Sequence, residues 1–216
     1  VPESLIRAFA RHGVWLQQGW GMTETSPLAT VSYVKSELRD ASDDERFRRA
    51  AMAGVPVPLV DLRLRSNDGS DAAWDGQHMG ELQVRGPFIT GSYFQVPVSD
   101  EKFTADGWLR TGDVAMADEQ GYVRITDRTK DLIKSGGEWI SSVDMENALM
   151  AHPSVAEAAV IAIPDEKWSE RPLACVVLRS GRTASVDELR EHLSVHHFAR
   201  WQWPDRFEFI DAIPRT

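Results

Sequence analysis

The sequence predicts an α/β fold of the α+β kind, in which a β-rich part is followed by a smaller part with both helices and strands. Up to about residue 127, most regular segments are short strand-like runs separated by turns. After Arg128, apolar strand-like runs alternate with helical segments that begin at serine residues. This change of pattern predicts a boundary within residues 127–130, and we expect domains at residues 1–127 and 128–216.

The β-rich part is expected to begin with a helix over residues 3–11, where apolar residues recur at helical spacing. Residues 14–17 are predicted to form a short strand that leads into a turn at Gly19 and Gly21. The highly charged residues 40–49 form either a loop or a surface helix. Further strands are expected at residues 59–65, 80–85, 113–117 and 122–126.

The smaller part contains two helix-start signals. A serine is followed three positions later by an acidic residue at Ser141 with Asp144 and at Ser185 with Glu188, a pairing typical of the first turn of a helix. The first of these helices should end by His152, because a proline follows. Strands are expected at residues 155–163, 172–178 and 206–210.

Composition and charge narrow the functional classes. Of the 216 residues, 42% are hydrophobic and 26% are charged, as is ordinary for a globular protein. The formal net charge of -9 argues against a nucleic-acid partner held by phosphate contacts. Cys175 is the single cysteine, which excludes an internal disulfide and fits a reducing compartment. No apolar run approaches the roughly 20 residues that a membrane-spanning helix needs.

The first chemically informative motif is Gln18-Gly-Trp-Gly-Met-Thr-Glu-Thr-Ser-Pro27. Its glycines allow the backbone to pass close to a flat ligand. The hydroxyl of Thr23 can donate to a phosphate oxygen, and the carboxylate of Glu24 can hold Mg²⁺. The alternative interpretation is a tight turn with a helix cap at Thr23 or Ser26.

Two further motifs follow. In Asp106-Gly-Trp-Leu-Arg-Thr-Gly-Asp113, the last carboxylate can accept hydrogen bonds from both hydroxyls of a ribose, or it is a plain turn aspartate. The third motif runs from Thr126 to Ser141 and begins with charged residues that are either a solvated run or a domain boundary. Its glycine pair either leaves room for a ligand or belongs to a loop before a helix that needs positive φ.

These motifs, together with three shorter ones, resemble those of the AMP-forming acyl-CoA synthetases, which are adenylate-forming enzymes. The shorter motifs are Ala-Ile-Pro-Asp at 162–165, Glu-Arg-Pro at 170–172 and Ile-Pro-Arg-Thr at 213–216. The Gly-Gly-Glu-Trp-Ile-Ser run most resembles the branch that activates medium- and long-chain fatty acids. The resemblance implies that the β-rich part is the distal end of a large adenylate-forming domain, followed by an incomplete small C-terminal domain.

The resemblance also implies roles for individual residues. The nucleotide would contact Gly19, Trp20, Gly21, Met22 and Thr23. Trp20, where many family members carry tyrosine, stacks on or lines the adenine, and Thr23 contacts the α-phosphate. Glu24 binds the metal ion, and Thr23 and Glu24 are the implied catalytic residues.

The remaining implied roles fall on the second and third motifs. Asp113 and Arg128 would bind the ribose, and Asp127 and Arg128 would belong to a hinge. The pantetheine arm of coenzyme A would pass the residues Gly136, Gly137, Glu138 and Trp139. For Trp139, burial within the small domain is the alternative interpretation.

The implied reaction uses ATP, Mg²⁺, coenzyme A and a fatty acid or another carboxylate. The carboxylate attacks the α-phosphate, pyrophosphate leaves, and after rotation of the small domain the thiol of coenzyme A displaces AMP. Two alternatives remain: an enzyme that loads a carrier protein, and a non-catalytic fragment that binds nucleotide or a partner chain. The resemblance implies a cytoplasmic protein, open to peripheral contact with a membrane and to a homodimeric state.

The chain starts at Val1 without a methionine and stops inside the Ile-Pro-Arg-Thr motif, so we expect it to be a piece of a longer polypeptide. The phosphate loop and the adenylation lysine of the family would lie outside it, and we therefore expect the isolated piece not to form acyl-adenylate. The pair His196-His197 is not expected to bind a metal, because adjacent residues of a helix point apart.

Overall fold

The computed structural model describes residues 1–196 and 198–214. His197, Arg215 and Thr216 lie outside the described residues, and with them the end of the motif at 213–216. The chain divides into two compact units, Val1–Ile125 and Thr126–Thr216. The mixture of helices and sheets confirms the predicted α/β class.

The first unit contains the helices α1 (Glu3–Ala10) and α2 (Asp43–Ala50) and 3-10 turns at Thr23–Thr25 and Ser36–Leu38. Its strands are β1 (Gly19–Trp20), β2 (Thr30–Val31), β3 (Val55–Pro56), β4 (Asp61–Arg65), β5 (Gly80–Arg85), β6 (Leu109–Ala117) and β7 (Val123–Arg128), the last of which runs past the division. Strands β1, β2 and β3 form a small antiparallel sheet, and a second sheet has the order β4-β5-β6-β7. Buried side chains such as Leu64, Leu82 and Leu109 form the core beneath this second sheet.

The strand predicted at residues 14–17 is wrong. Residues 14–18 have no regular structure, and the strand that does form is Gly19–Trp20. The reason is that Trp15 packs against a helix: its ring lies 5.4 Å from that of Phe47 on α2. This apolar side chain therefore packs on helix α2 and not within a sheet.

The charged segment at residues 40–49 forms helix α2, which begins at a Ser42 cap. A surface helix was one of the two expectations for this segment, and a helix does form, but its residue Arg49 is buried and not at the surface. Its guanidinium lies 2.7 Å from a carboxylate oxygen of Glu45, pairs with Asp118 and sits 4.7 Å from the centre of the Tyr122 ring. The buried end of α2 is thereby fixed to the turn between β6 and β7.

The second unit contains helices α3 (Ser142–Met150) and α4 (Val186–Val195) and a 3-10 turn at Arg200–Gln202. Its strands are β8 (Ile133–Ser135), β9 (Glu138–Ile140), β10 (Val155–Asp165), β11 (Ser169–Leu178) and β12 (Arg206–Phe209). The sheet has the order β10-β11-β8-β9, and β12 lies parallel beside β11. Among the residues that the structure describes, no helix is both long and apolar enough to cross a membrane.

Both predicted helix starts in the second unit are confirmed. The hydroxyl of Ser141 accepts a hydrogen bond from the backbone N–H of Asp144 at 3.1 Å, and α3 ends before His152 as expected. The hydroxyl of Ser185 accepts from the N–H of Glu188 at 3.2 Å, and the carboxylate of Glu188 accepts in return from the N–H of Ser185. These reciprocal bonds satisfy backbone donors that the first turn of a helix leaves unpaired.

His192, on α4, lies in a cluster of imidazoles. Its ring centre is 5.1 Å from that of His152 and 4.6 Å from that of His196, and its Nε2 lies 3.0 Å from the carbonyl oxygen of Ala148. Burial lowers the pKa of His192 below its ordinary value, and the two neighbouring imidazoles lower it further against the opposing effect of the carbonyl. The folded second unit therefore favours the neutral ring.

We expect the second unit to lose stability as the pH falls below about 6.5. The unfolded chain then binds a proton at His192 more readily than the folded chain does, because the pKa of His192 is lower in the folded state, and protonation therefore favours unfolding. This loss begins at the unfolded pKa and continues through the lower folded pKa. The melting temperature, measured at about pH 7.5 and at about pH 5, should decrease less between these two pH values for His192→Gln than for the wild type. The exposed His12→Gln in the first unit is the control, and equal decreases in all three proteins would contradict the prediction.

Candidate functional site

The first motif folds as a strand followed by a turn that returns along itself. After β1, the 3-10 turn Thr23–Thr25 reverses the chain, and the N–H of Ala29 donates to the carbonyl oxygen of Trp20 at 2.9 Å. A Cβ atom on Gly21 would lie 1.9 Å from the carbonyl oxygen of Pro27. This glycine is therefore required by the close approach of the returning chain, which is the tight turn that the alternative interpretation expected. The structure places the cap differently, because the hydroxyl of Thr25 accepts from the N–H of Met22 at 2.8 Å.

The structure brings two of the predicted nucleotide-binding residues together across 93 positions of sequence. The indole Nε1–H of Trp20 donates to Oδ2 of Asp113 at 2.7 Å. Both side chains are half-buried, and Trp20 also packs against the core of the first unit. Asp113 is held on β6 by its own backbone, because its N–H donates to the hydroxyl of Thr111, which donates in turn to the carbonyl oxygen of Leu82. An aromatic ring and a fixed carboxylate therefore lie side by side.

Glu24 has a partner that the sequence did not predict. The phenol of Tyr93 donates to Oε1 of Glu24 at 2.6 Å, and the N–H of Thr90 donates to the carbonyl oxygen of Glu24 at 2.9 Å. The hydrogen bond to Glu24, together with burial and the charge of the carboxylate, raises the pKa of Tyr93 to about 12. Tyr93 carries no recognisable sequence signal, since it lies 69 positions away in a stretch without regular structure.

The residues around Glu24 fit a divalent cation that is shared with a ligand. Among the described residues, no group of three or more histidine, cysteine, aspartate or glutamate side chains could hold a metal ion alone. Mg²⁺ is commonly bound through one or two carboxylates with substrate phosphates and water completing its shell. Glu24 is half-buried and the neighbouring Thr23 is exposed, so a phosphate and a cation can reach both side chains.

Asp127, predicted at a hinge, is buried and caps helix α3. Its Oδ2 accepts from the N–H of Ser142 at 2.8 Å and lies 3.3 Å from the hydroxyl of Ser141, and its Oδ1 accepts from the N–H of Arg128 at 2.8 Å. A carboxylate at this place is stabilised by the partial positive charge of the helix N-terminus. Arg128 is exposed and belongs to the second unit, so its part in a site with Trp20 stays a prediction.

Gly136 and Gly137 form the two-residue turn that joins β8 to β9. Both have positive φ, 62° and 89°, which is the conformation that the alternative interpretation required. A Cβ atom on Gly136 would also lie 2.7 Å from the ring of Trp168, whose carbonyl oxygen accepts from the N–H of Gly136 at 2.9 Å. The geometry of the turn accounts for both glycines, and a pantetheine tunnel beside them stays a prediction.

The other two residues of that group differ in exposure. Glu138 is exposed, whereas Trp139 is only 9% exposed, which favours packing within the second unit. The indole N–H of Trp139 is buried and has no hydrogen-bond partner within the described part of the chain. Of the discounted histidine pair, His196 lies at the C-terminal end of α4, and His197 is outside the described residues.

Two family models match the chain. The model described as "AMP-binding enzyme" matches residues 1–94, and the model described as "AMP-binding enzyme C-terminal domain" matches residues 144–216. The first match contains the Trp20 and Glu24 motif, and the second contains most of α3 together with β10, β11, α4 and β12.

Individual relatives agree with these models. The long-chain-fatty-acid–CoA ligase of Thermus thermophilus is 53% identical over 217 residues, which cover 100% of this chain and 40% of that protein. The 3-methylmercaptopropionyl-CoA ligase of Ruegeria lacuscaerulensis is 44% identical over 99% of this chain and 39% of that protein.

Among solved structures, the o-succinylbenzoate CoA synthetase of Bacillus subtilis, in complex with its acyl-adenylate intermediate, matches with a TM-score of 0.75 at 31% identity. The match covers 100% of this chain and 41% of that one, so the chain spans about 40% of the length of the relatives named above. From the two matched models and these relatives, we conclude that the chain belongs to the family of AMP-binding, adenylate-forming enzymes.

Proposed function

We propose that this chain carries the adenylate-binding part of an ATP-dependent acid–CoA ligase whose substrate is a fatty acid. In this proposal residues 1–127 are part of the large domain and residues 128–216 are the small C-terminal domain. The first half-reaction joins a carboxylate oxygen to the α-phosphorus of ATP and releases pyrophosphate. The second forms a thioester between the acyl group and coenzyme A and releases AMP.

The contact between Trp20 and Asp113 is the observation that carries the proposal. A half-buried indole offers a flat apolar face for a purine, and the adjacent carboxylate can accept hydrogen bonds from ribose hydroxyls. Trp20 donates to Oδ2 of Asp113 at 2.7 Å, and a carboxylate group can accept more than one hydrogen bond.

Further residues take proposed roles around this contact. Thr23 would donate to the α-phosphate, and Glu24 would hold Mg²⁺, which supplies positive charge to the phosphates when bound. Arg128 would reach the ribose, and Asp127 would lie at the hinge between the two half-reactions. Gly136, Gly137, Glu138 and Trp139 would border the path of the pantetheine arm.

The acyl substrate is proposed from the relatives. The Thermus thermophilus protein is named as a long-chain-fatty-acid–CoA ligase and has the higher identity of the two relatives, which favours a fatty acid. The Ruegeria protein is named for 3-methylmercaptopropionate and the Bacillus structure for o-succinylbenzoate, so all three share a carboxylate that becomes a thioester. We therefore propose coenzyme A as the acceptor.

Calorimetric titration of the chain with AMP tests the proposal. We expect Asp113→Ala to weaken AMP binding by about 10- to 100-fold, because a charged acceptor of hydrogen bonds is removed. Asp106→Ala is the matched control from the same motif, since its carboxylate is exposed and paired with Arg63 at 2.7 Å. Binding that is unaffected by Asp113→Ala, or a wild-type chain that does not bind AMP, would overturn the proposal.

A further inference from the structure

Glu24 is held at two points by one short segment, residues 90–93. The N–H of Thr90 donates to the backbone carbonyl oxygen of Glu24 at 2.9 Å, and the phenol of Tyr93 donates to its carboxylate at 2.6 Å. The segment is itself braced, because the hydroxyl of Thr90 donates to the carbonyl oxygen of Ser92 at 2.7 Å. Backbone and side chain of Glu24 are therefore positioned by the same four residues.

Tyr93 is anchored to the core of the first unit. Its ring centre lies 6.0 Å from that of Phe103, which is 6% exposed and belongs to the core cluster. A hydroxyl on an anchored ring has a fixed position, and it therefore restricts the rotation of a flexible glutamate side chain. Without it, the carboxylate of Glu24 would have no hydrogen-bonding side chain partner among the described residues.

The two oxygens of the Glu24 carboxylate are in different situations. Oε1 accepts the short hydrogen bond from Tyr93, whereas Oε2 makes no hydrogen bond within the described part of the protein. A carboxylate oxygen that is oriented but unoccupied is what a hard cation with oxygen ligands needs. Glu24 is half-buried, and the neighbouring Thr23 is exposed.

We propose that Tyr93 is a positioning residue, which fixes the Glu24 carboxylate so that its second oxygen binds the divalent cation accompanying the nucleotide. This inference rests on the proposed function, because it concerns the metal that Glu24 would hold. Tyr93 lies outside the motifs described in the sequence.

The test measures metal and nucleotide binding separately. Mn²⁺ with ATP is titrated into the chain and followed by water-proton relaxation, and AMP without metal is titrated by calorimetry. Tyr93→Phe keeps the ring on Phe103 and removes only the hydroxyl. We expect it to weaken the binding of Mn²⁺ with ATP about five- to tenfold, the effect of one oriented hydrogen bond, and to leave AMP binding within about twofold.

Two further variants complete the design. Tyr33→Phe is the matched control, because Tyr33 is exposed and uses only its backbone carbonyl in the hydrogen bond from Tyr122. Glu24→Gln should lose the metal-dependent binding and retain AMP. Amide hydrogen exchange at Thr90 should be faster in Tyr93→Phe than in Tyr33→Phe, a readout that does not depend on a nucleotide.

The outcomes separate the two proposals. A wild-type chain that does not bind AMP would contradict the proposed function and also the inference that rests on it. AMP binding with no response to Mn²⁺, or with equal Mn²⁺ responses in wild type and Tyr93→Phe, overturns only the inference. A Tyr93→Phe chain that loses AMP and metal binding together has a structural defect, which also counts against a positioning role.

Discussion

Replacing Arg171 by methionine is expected to lower the free energy of unfolding of the second unit by about 3 kcal/mol. The guanidinium of Arg171 is buried on β11 and uses all five of its N–H groups. It donates to both carboxylate oxygens of Asp205 at 2.8 Å, to the hydroxyl of Ser135 at 2.9 Å, and to the carbonyl oxygens of Trp201 and Trp203.

The expected loss of stability is large because several buried acceptors lose their hydrogen-bond donor at the same time. Methionine fills a similar volume but cannot donate, so the buried hydroxyl and the two carbonyl oxygens would lose their donor. The pair with Asp205 contributes less than a fully buried ion pair, because the Asp205 side chain is 52% exposed. The guanidinium nonetheless holds the pKa of Asp205 below its ordinary range.

Native-state hydrogen exchange of amides in β11 and α4 measures this prediction, because it reports the second unit separately. Arg206→Met is the matched control, because its side chain is 65% exposed and, among the residues that the structure describes, forms an ion pair with Glu208 alone, at 2.7 Å. We expect the control to change the free energy of unfolding by at most about 0.5 kcal/mol. Similar losses for Arg171→Met and Arg206→Met would show that the network around Arg171 is not a major source of stability.

Replacing Asp127 by alanine is expected to lower the free energy of unfolding of the second unit by about 2–3 kcal/mol. The buried carboxylate accepts from the backbone N–H of Ser142 and from its hydroxyl, at 2.8 and 3.0 Å, at the positive end of α3. Alanine would leave these donors buried without an acceptor. Asp127→Asn should lose less, because an amide oxygen can still accept although it carries no charge.

Hydrogen exchange of the α3 amides measures the loss, and the exposed Asp131→Ala is the control from the same charged run. The order of stability should be wild type, Asp127→Asn, Asp127→Ala. If Asp127→Ala were as stable as Asp131→Ala, the carboxylate would not contribute to the stability of the α3 N-terminus. These variants also bear on the proposed hinge role of Asp127. If its carboxylate must stay bound to the first residue of α3, Asp127 and α3 would move together in any hinge motion.

The sequence by itself determined the features that depend on neighbours within a few positions. The caps at Ser141 and Ser185 were predictable because their acceptors and donors lie three residues apart in the chain. Strands β10 and β11 were predictable from their apolar runs, and positive φ at Gly136 and Gly137 was one of the two interpretations of the glycine pair. The short strands β8 and β9 on either side of that pair were not predicted. The order of the motifs along the chain likewise indicated the family.

Only the tertiary structure decided the contacts between distant segments. The hydrogen bond from Trp20 to Asp113 spans 93 positions and that from Tyr93 to Glu24 spans 69, and no local pattern encodes either pairing. The helical partner of Trp15 decided against a strand at residues 14–17, and the acceptors around Arg171 are supplied by segments from β8 to β12. The physical reason is that propensity and capping act over one turn of chain, whereas packing and buried hydrogen bonds depend on which segments the whole fold brings together.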